Sequence, residues 1–207
     1  MTAFRHQFGA EDVELESTEA SFSGYFAIET LTLRHRLFAG GWSSPIRREL
    51  FQRGDAVGVL PWNPSTDEVV LIEQFRVGAM RDADSPWMLE LIAGVVEYGE
   101  SDSVVALREA QEEAGCQVSR LEPIATFYPS AGACSEQIRL FIGETRGADH
   151  GSVQGLESEH EDILVHQIAR SEALAMLNRG EVNNGHTLIA LQWLALHGDR
   201  LRSDWHA

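Results

Sequence analysis

"GVVEYGESDSVVALREAQEEAGC", from Gly94 to Cys116, sets a glycine-bearing turn before a short segment with one arginine and three glutamates. Ser101 or Asp102 is a suitable helix N-cap and Gly115 a suitable stop, so the segment predicts a helix from about Asp102 to Ala114. The apolar run "WMLELIAG" just before it predicts a strand that enters the turn. The acidic cluster therefore lies on a helix that directly follows a strand.

A helical wheel separates this segment into two sides. We expect one side to face the protein core, and its residues are Val104, Leu107, Ala110 and Ala114. The opposite side carries Glu109, Glu112 and Glu113, of which the first and last are four residues apart and therefore neighbours.

The crowded acids have two interpretations. A solvated helix face is one, because like charges at this spacing cost only about 0.2–0.5 kcal/mol per pair. The other is a divalent cation, and it gains weight because negative charge is unfavourable in the C-terminal half of a helix. Magnesium takes oxygen ligands, commonly one or two carboxylates plus substrate phosphates.

The rest of the chain predicts a mixed α/β protein. Residues 23–38 and 46–62 read as strands, and from Ala56 strands alternate with helices. Later strands are expected near 117–127, 137–144 and 163–168, and helices near 171–179, capped by Ser171, and 186–197. We divide the chain into a small N-terminal β section, residues 1–52, and a main domain, residues 53–207.

Composition excludes several classes of function. A formal net charge of −16 argues against nucleic acid or an anionic membrane as the main partner. The chain contains no lysine, which excludes a Walker-type phosphate loop and Schiff-base chemistry. Two cysteines, Cys116 and Cys134, form no disulfide framework, and no apolar run reaches membrane-span length, so we expect a cytoplasmic protein.

The spacing of the charged residues carries a resemblance. Glycine, five residues, glutamate, seven residues, then Arg-Glu-x-x-Glu-Glu-x-Gly is the Nudix box, and its fixed positions are Gly94, Glu100, Arg108, Glu109, Glu112, Glu113 and Gly115. Such a match arises by chance on the order of 10⁻⁸ per window. "DEVVLIEQFRVGA", "ESEHEDI" and "IALQWLALH" extend the resemblance to the ADP-ribose pyrophosphatase group of the Nudix hydrolases.

This resemblance implies a Nudix-type α/β/α sandwich with a mixed sheet. It implies Mg²⁺, with Mn²⁺ as an alternative, bound by Glu109 and Glu113 with help from Glu112, the carbonyl of Ala93 and Glu161. Arg108, together with Glu100, would brace the loop and the helix.

The resemblance places the general base outside the box, at Glu159. His160 remains an alternative because its unperturbed pKa lies closer to neutral, and Glu161 is the third candidate.

Four further residues match substrate-binding positions of the group. Arg76 and Arg48 match arginines that hold phosphates, Tyr25 an aromatic that stacks on adenine, and Glu136 a carboxylate near the terminal ribose. Because Arg48 lies in the front section, the resemblance implies a swapped homodimer.

We therefore expect hydrolysis of ADP-ribose to AMP and ribose 5-phosphate. One position departs from the group: its marker proline is replaced by Ala131, within "FYPSAGACSE", and the proline here is Pro129. A nucleotide-sugar diphosphatase, for example one acting on GDP-mannose, stays an alternative for this reason. A non-catalytic nucleotide-binding sensor is a further alternative that the intact box disfavours.

Overall fold

A computed structural model describes residues 4–206 and divides them into two compact units. The first contains residues 4–54 and 128–136, and the second contains residues 55–127 and 137–206.

The first unit is built on a three-stranded antiparallel sheet. Its strands are β1 (Val13–Ser23), β2 (Ala27–His35) and β3 (Ile46–Gln52), with β2 in the centre. The segment 128–136 is hydrogen bonded to the end of β3. The Phe51 N–H donates to the Ala133 carbonyl at 2.8 Å, and the Ser135 N–H donates to the Phe51 carbonyl at 3.2 Å. This segment, which contains Ala131, is therefore attached to the N-terminal sheet.

The second unit contains an eight-stranded mixed sheet. Its strands are β4 (Ala56–Asn63), β5 (Glu68–Phe75), β6 (Trp87–Glu90), β7 (Ile92–Val95), β8 (Val118–Phe127), β9 (Ile138–Thr145), β10 (Val153–Gln154) and β11 (Ile163–Ala169). Its main order is β10-β11-β5-β4-β9-β8, with β6 paired to β5 and β7 paired to β4. Only β4 and β9 run parallel among the described strand pairs.

Helices cover both faces of this sheet. Successive side chains of a strand point to opposite faces, so one strand can pack against helices on both sides. On β4 and β5, Val57 and Val70 pack with α1 (Asp102–Ala114). Leu60 and Val69 on the same strands pack with residues of α2 (Arg170–Arg179) and α3 (Gly185–His206). Both strands are buried on two sides, and the architecture is the expected α/β/α sandwich.

Helix α1 has the predicted bounds, and its stop at Gly115 adopts the left-handed conformation, with φ of 59°. The predicted helix face is partly wrong. Val104 is 51% exposed and Leu107 is 42% exposed, whereas Val105 and Ala106 are buried in the core. Glu113, which the wheel placed opposite the core-facing residues, is only 2% exposed. The helix thus buries one of its acids against the sheet.

The last two helices differ from expectation at their ends. The N-cap of α2 is Ala169 and not Ser171, although Gly180 ends the helix as predicted. Helix α3 runs past the predicted end near His197 to His206. Among residues 4–206, no helix is long and apolar enough to cross a membrane.

Candidate active site

Arg108 lies at the centre of the charged face of α1. Its Nη1 donates to Glu109 at 2.8 Å and to Glu112 at 3.0 Å, and its Nη2 donates to Glu100 at 3.4 Å. Burial lowers the pKa of the Arg108 guanidinium, but the three carboxylates together outweigh it and raise this pKa above its ordinary value. The contacts fit a bracing role, because one guanidinium links the glycine turn to the helix.

Glu113 is the buried acid of the site. Its Oε2 accepts the Ala93 N–H of β7 at 3.1 Å. Burial raises the pKa of the Glu113 carboxyl to about 8; the Ala93 hydrogen bond opposes this, and the charges of Glu109 and Glu161 add to it. Since the N–H and C=O of one strand residue point to the same side, the Ala93 carbonyl faces this side too.

Gly94 leaves room for the Glu109 side chain. A Cβ built on Gly94 would overlap the Glu109 carboxylate, so any larger residue here has to move that acid. Burial raises the pKa of Glu109, and the neighbouring Glu112 and Glu161 add to the shift, while Arg108 opposes it. The first glycine of the motif is thereby explained by a close approach of backbone and carboxylate.

A loop after β10 brings a further acid to α1. The Gly155 N–H donates to the Glu112 carbonyl at 3.3 Å, and the Glu161 Oε2 accepts the Leu156 N–H at 3.0 Å. Gly155 has φ of 105°, a conformation that favours glycine, and a Cβ there would collide with Glu161. Both the backbone conformation and the lack of space therefore call for glycine at this position. This geometry holds Glu161 close enough to α1 to act on the charges of Glu109 and Glu113.

The two other base candidates lie in the same loop. A 3-10 turn, Glu157–Glu159, presents Glu159 to solvent, and His160 follows with φ of 58°. Histidine is among the few residues that tolerate this left-handed conformation. Both Glu159 and His160 are exposed to solvent, so either side chain is accessible in this structure.

Arg76 follows directly on β5. Its Nε donates to Glu90 Oε2 at 2.8 Å; the Glu90 side chain is 5% exposed and that of Arg76 is 43% exposed. The positive charge of Arg76, like the Ala93 hydrogen bond, opposes the rise in the pKa of Glu113. The structure thus gathers Arg76, Glu109, Glu113 and Glu161 in one region.

The acids are not arranged as a finished metal site. Within residues 4–206, no three His, Cys, Asp or Glu side chains are close enough together to hold a metal ion. Glu109 and Glu112 face Arg108, and Glu113 and Glu161 face backbone N–H groups. Metal ligation therefore requires these side chains to rearrange.

The remaining predicted residues belong to the first unit. Tyr25 is 92% exposed, and its ring contacts Phe26 edge to face at 4.7 Å between centroids. Arg53 lies over Phe26 and pairs with Glu136 at 3.2 Å, so Tyr25 and Glu136 are joined through two intervening side chains. Arg48 is exposed on β3, where its Nη1 donates to the Arg47 carbonyl.

Sequence reasoning missed three residues of this region: Glu90, Gly155 and Asn184. Glu90 had a usable signal, because it is a single acid inside the apolar run "WMLELIAG". Gly155 and Asn184 gave none, since the first makes contacts with α1 and the second with β6, both distant in sequence.

A match to a known protein family covers this region of the chain. The NUDIX domain family matches residues 52–190, which include the glycine turn, α1 and the loop after β10. The chain belongs to this family. Within it, the chain is 43% identical over 198 residues to ADP-ribose pyrophosphatase of Escherichia coli K12, covering 96% of this chain and 95% of the relative. The corresponding enzyme of Haemophilus influenzae is 40% identical over 208 residues, covering 99% and 95%.

Two further similarities are weaker. GDP-mannose pyrophosphatase of Salmonella arizonae is 36% identical over 149 residues, covering 72% of this chain and 77% of the relative. A crystal structure of an ADP compounds hydrolase superposes with a TM-score of 0.67 at 20% identity, covering 93% of this chain and 99% of that one. The second similarity supports the fold alone.

Proposed function

We propose that this protein is a Mg²⁺-dependent ADP-ribose pyrophosphatase that forms AMP and ribose 5-phosphate. The carrying observation is the convergence of Glu109, Glu113 and Glu161 beside Arg76. Carboxyl pKa values that are raised by burial and by mutual repulsion mark a place where positive charge is favourable. The near full-length similarity to ADP-ribose pyrophosphatases supports the choice of substrate.

The donor atoms are of the kind that a hard divalent cation prefers, although the side chains must rearrange to ligate it. We assign Glu109, Glu113 and the Ala93 carbonyl as ligands, with Glu112 and Glu161 assisting, because magnesium prefers carboxylate and carbonyl oxygen. Manganese accepts the same donors and can substitute. When bound, the metal supplies neutralisation of the diphosphate charge and activation of an oxygen nucleophile.

Side chains of the protein itself bind the phosphates and accept the proton of the attacking water. Arg76 binds phosphate oxygens through its guanidinium, and Glu159 takes the proton from the attacking water. A new oxygen–phosphorus bond forms and the bridging P–O bond breaks, so that the bridging oxygen leaves on the other phosphate. Tyr25, Arg48 and Glu136 are assigned to adenine, phosphate and ribose, respectively.

We place the enzyme in the cytoplasm as a homodimer in which the section 1–52 acts as the dimerisation element. Arg48 would then serve the active site of the partner subunit.

Hydrolysis of a substrate panel in Mg²⁺ tests the substrate. ADP-ribose, GDP-mannose, NADH and diadenosine polyphosphates would be compared by kcat/KM, with AMP and ribose 5-phosphate identified as products. We expect ADP-ribose to be preferred by at least about tenfold. Equal or faster turnover of GDP-mannose would favour the nucleotide-sugar alternative, to which Ala131 and the GDP-mannose relatives point.

Binding without turnover of any panel member would instead identify a nucleotide sensor. A nucleotide that raises Tm but is recovered unchanged after incubation with Mg²⁺ would show this outcome.

A further inference from the structure

Glu90 is a buried carboxylate whose two oxygens hold different parts of the second unit. Oε2 accepts from Arg76 Nε at 2.8 Å, and Oε1 accepts from Asn184 Nδ2 at 2.8 Å. The Glu90 side chain is 5% exposed, so its charge depends on these two donors. A buried carboxylate with a fixed orientation also fixes the Nε edge of the guanidinium, which leaves the two terminal NH2 groups of Arg76 for a phosphate.

Asn184 is in turn fixed by the first turn of α3. Its Oδ1 accepts the Thr187 N–H and the Thr187 hydroxyl, each at 3.0 Å. This is the N-cap arrangement, and it determines which way the amide faces, because the oxygen is committed to the helix. The amide nitrogen is therefore the group presented to Glu90.

A second hydrogen bond joins the same helix turn to the residue that follows β6. The buried Leu91 N–H, next to Glu90, donates to the Thr187 hydroxyl at 2.8 Å. The start of α3 is thus hydrogen bonded to the last residue of β6, Glu90, and to the residue after it, Leu91. The start of α3 therefore stabilises the charge and orientation of the Glu90 carboxylate through Asn184, and the backbone next to Glu90 through Thr187.

We propose that Asn184 and Glu90 are positioning residues that set the substrate-binding orientation of Arg76. The inference rests on the proposed function, in which Arg76 binds a substrate phosphate. Loss of the Asn184 donor leaves Glu90 with an unsatisfied oxygen, and the Glu90–Arg76 pair becomes free to rotate. Because a phosphate contact made in both ground and transition states contributes uniform binding, the effect falls mainly on KM.

Asn184→Asp separates this role from stability of α3. Aspartate caps a helix as well as asparagine does, so the bonds from Thr187 are kept. It cannot donate to Glu90, and it places one carboxylate against another. Asn183→Asp is the matched control, because it adds the same charge one residue earlier, at an exposed site where Asn183 Nδ2 donates to the Asp82 carboxylate and likewise ends up opposite a carboxylate.

We expect Asn184→Asp to raise KM for ADP-ribose about tenfold, with kcat within about threefold and Tm within a few degrees of wild type. Asn183→Asp should leave KM within about twofold. In an Arg76→Ala background, Asn184→Asp should change KM by less than about twofold, because its target is gone.

Two results would overturn the inference: equal KM for the two aspartate variants, or a full tenfold effect of Asn184→Asp in the Arg76→Ala background. Absence of ADP-ribose hydrolysis by wild type would refute the proposed function instead. The same comparisons would then be made with the panel substrate that is turned over fastest, and they would judge the inference by the same criteria.

Discussion

At the scale of single residues, close contacts between glycine backbone and glutamate side chains determine where the acids of the candidate site lie. Gly94 and Gly155 carry no side chain where Glu109 and Glu161 need the space. Both acids act on the charge of Glu113. A methyl group at either glycine therefore changes the site without removing any charged residue.

Gly94→Ala tests this at the glycine of the motif. The added Cβ displaces the Glu109 carboxylate, so we expect kcat/KM for ADP-ribose to fall by at least about tenfold. Gly185→Ala is the control, since nothing lies within 4 Å of a Cβ there. Steady-state kinetics of both variants give the answer, and unchanged activity of Gly94→Ala would contradict the proposed position of Glu109 in catalysis.

The identity of the general base is also decided at single residues. We expect Glu159→Gln to lower kcat by about 10²–10⁴ while Mg²⁺ binding is retained. His160→Asn should keep most activity, because asparagine also accepts the left-handed backbone that His160 adopts. Rapid-quench kinetics with Mg²⁺ titration distinguish the candidates. A large loss of kcat in His160→Asn but not in Glu159→Gln would assign the base to His160. Unchanged kcat in both variants would leave Glu161 as the base.

At the scale of elements, the sequence predicted where α1 begins and ends but not which way it faces. Capping and stopping are local properties, so Asp102 and Ala114 could be placed as its ends. The wheel placed Glu113 opposite the core-facing residues, whereas Glu113 is buried and its carboxylate accepts a hydrogen bond from the distant Ala93 N–H. Burial of a charged residue depends on a tertiary partner, which periodicity does not contain.

Asp67, in the turn from β4 to β5, connects this turn to α2 and α3. Trp62 Nε1 donates to it at 3.1 Å, and Arg170 and Arg202 pair with it. Burial alone would raise the pKa of the Asp67 carboxyl, but Arg202, Trp62 and Arg170 together lower it below its ordinary value. The turn residue itself has φ of 59°.

Because the folded pKa of Asp67 is lowered, its stabilisation is present above pH 3.8 and is lost as pH falls through the folded pKa. We expect Asp67→Asn, which keeps a residue tolerant of this φ, to lower Tm by roughly 2–4 °C at pH 6. The difference from wild type should disappear near about pH 2. Asp199→Asn, at the exposed partner of Arg170, is the control, and a pH-independent difference for Asp67→Asn would contradict the assignment.

At the scale of the whole molecule, the shared-site homodimer is the prediction to test. Mixing Arg48→Ala chains with Glu109→Gln chains should restore up to about a quarter of wild-type activity, because about half of the randomly formed dimers are heterodimers and each of these contains one site with neither change. Size-exclusion chromatography and mass spectrometry would verify heterodimers. A Glu109→Gln and Glu113→Gln mixture is the control that should stay inactive, and no recovery in verified Arg48→Ala heterodimers would count against sharing.

The motif allowed the acidic residues of α1 to be predicted as a group because the whole signature lies within Gly94 to Cys116. The support for Arg76 was not predictable in this way. Glu90 and Asn184 are 94 positions apart in the sequence, and they meet only after β6 and α3 have packed. Spacing reveals a site within one segment, whereas a contact between segments requires the fold.

The attachment of segment 128–136 to β3 has a practical consequence for protein engineering. A shortened gene that began at residue 53 would encode the whole Nudix box yet omit Phe51, whose backbone holds Ala133 and Ser135. Such a fragment should keep its acids but release the segment that carries Ala131. Efforts to redirect selectivity should therefore transplant β3 and this segment together, as one cassette.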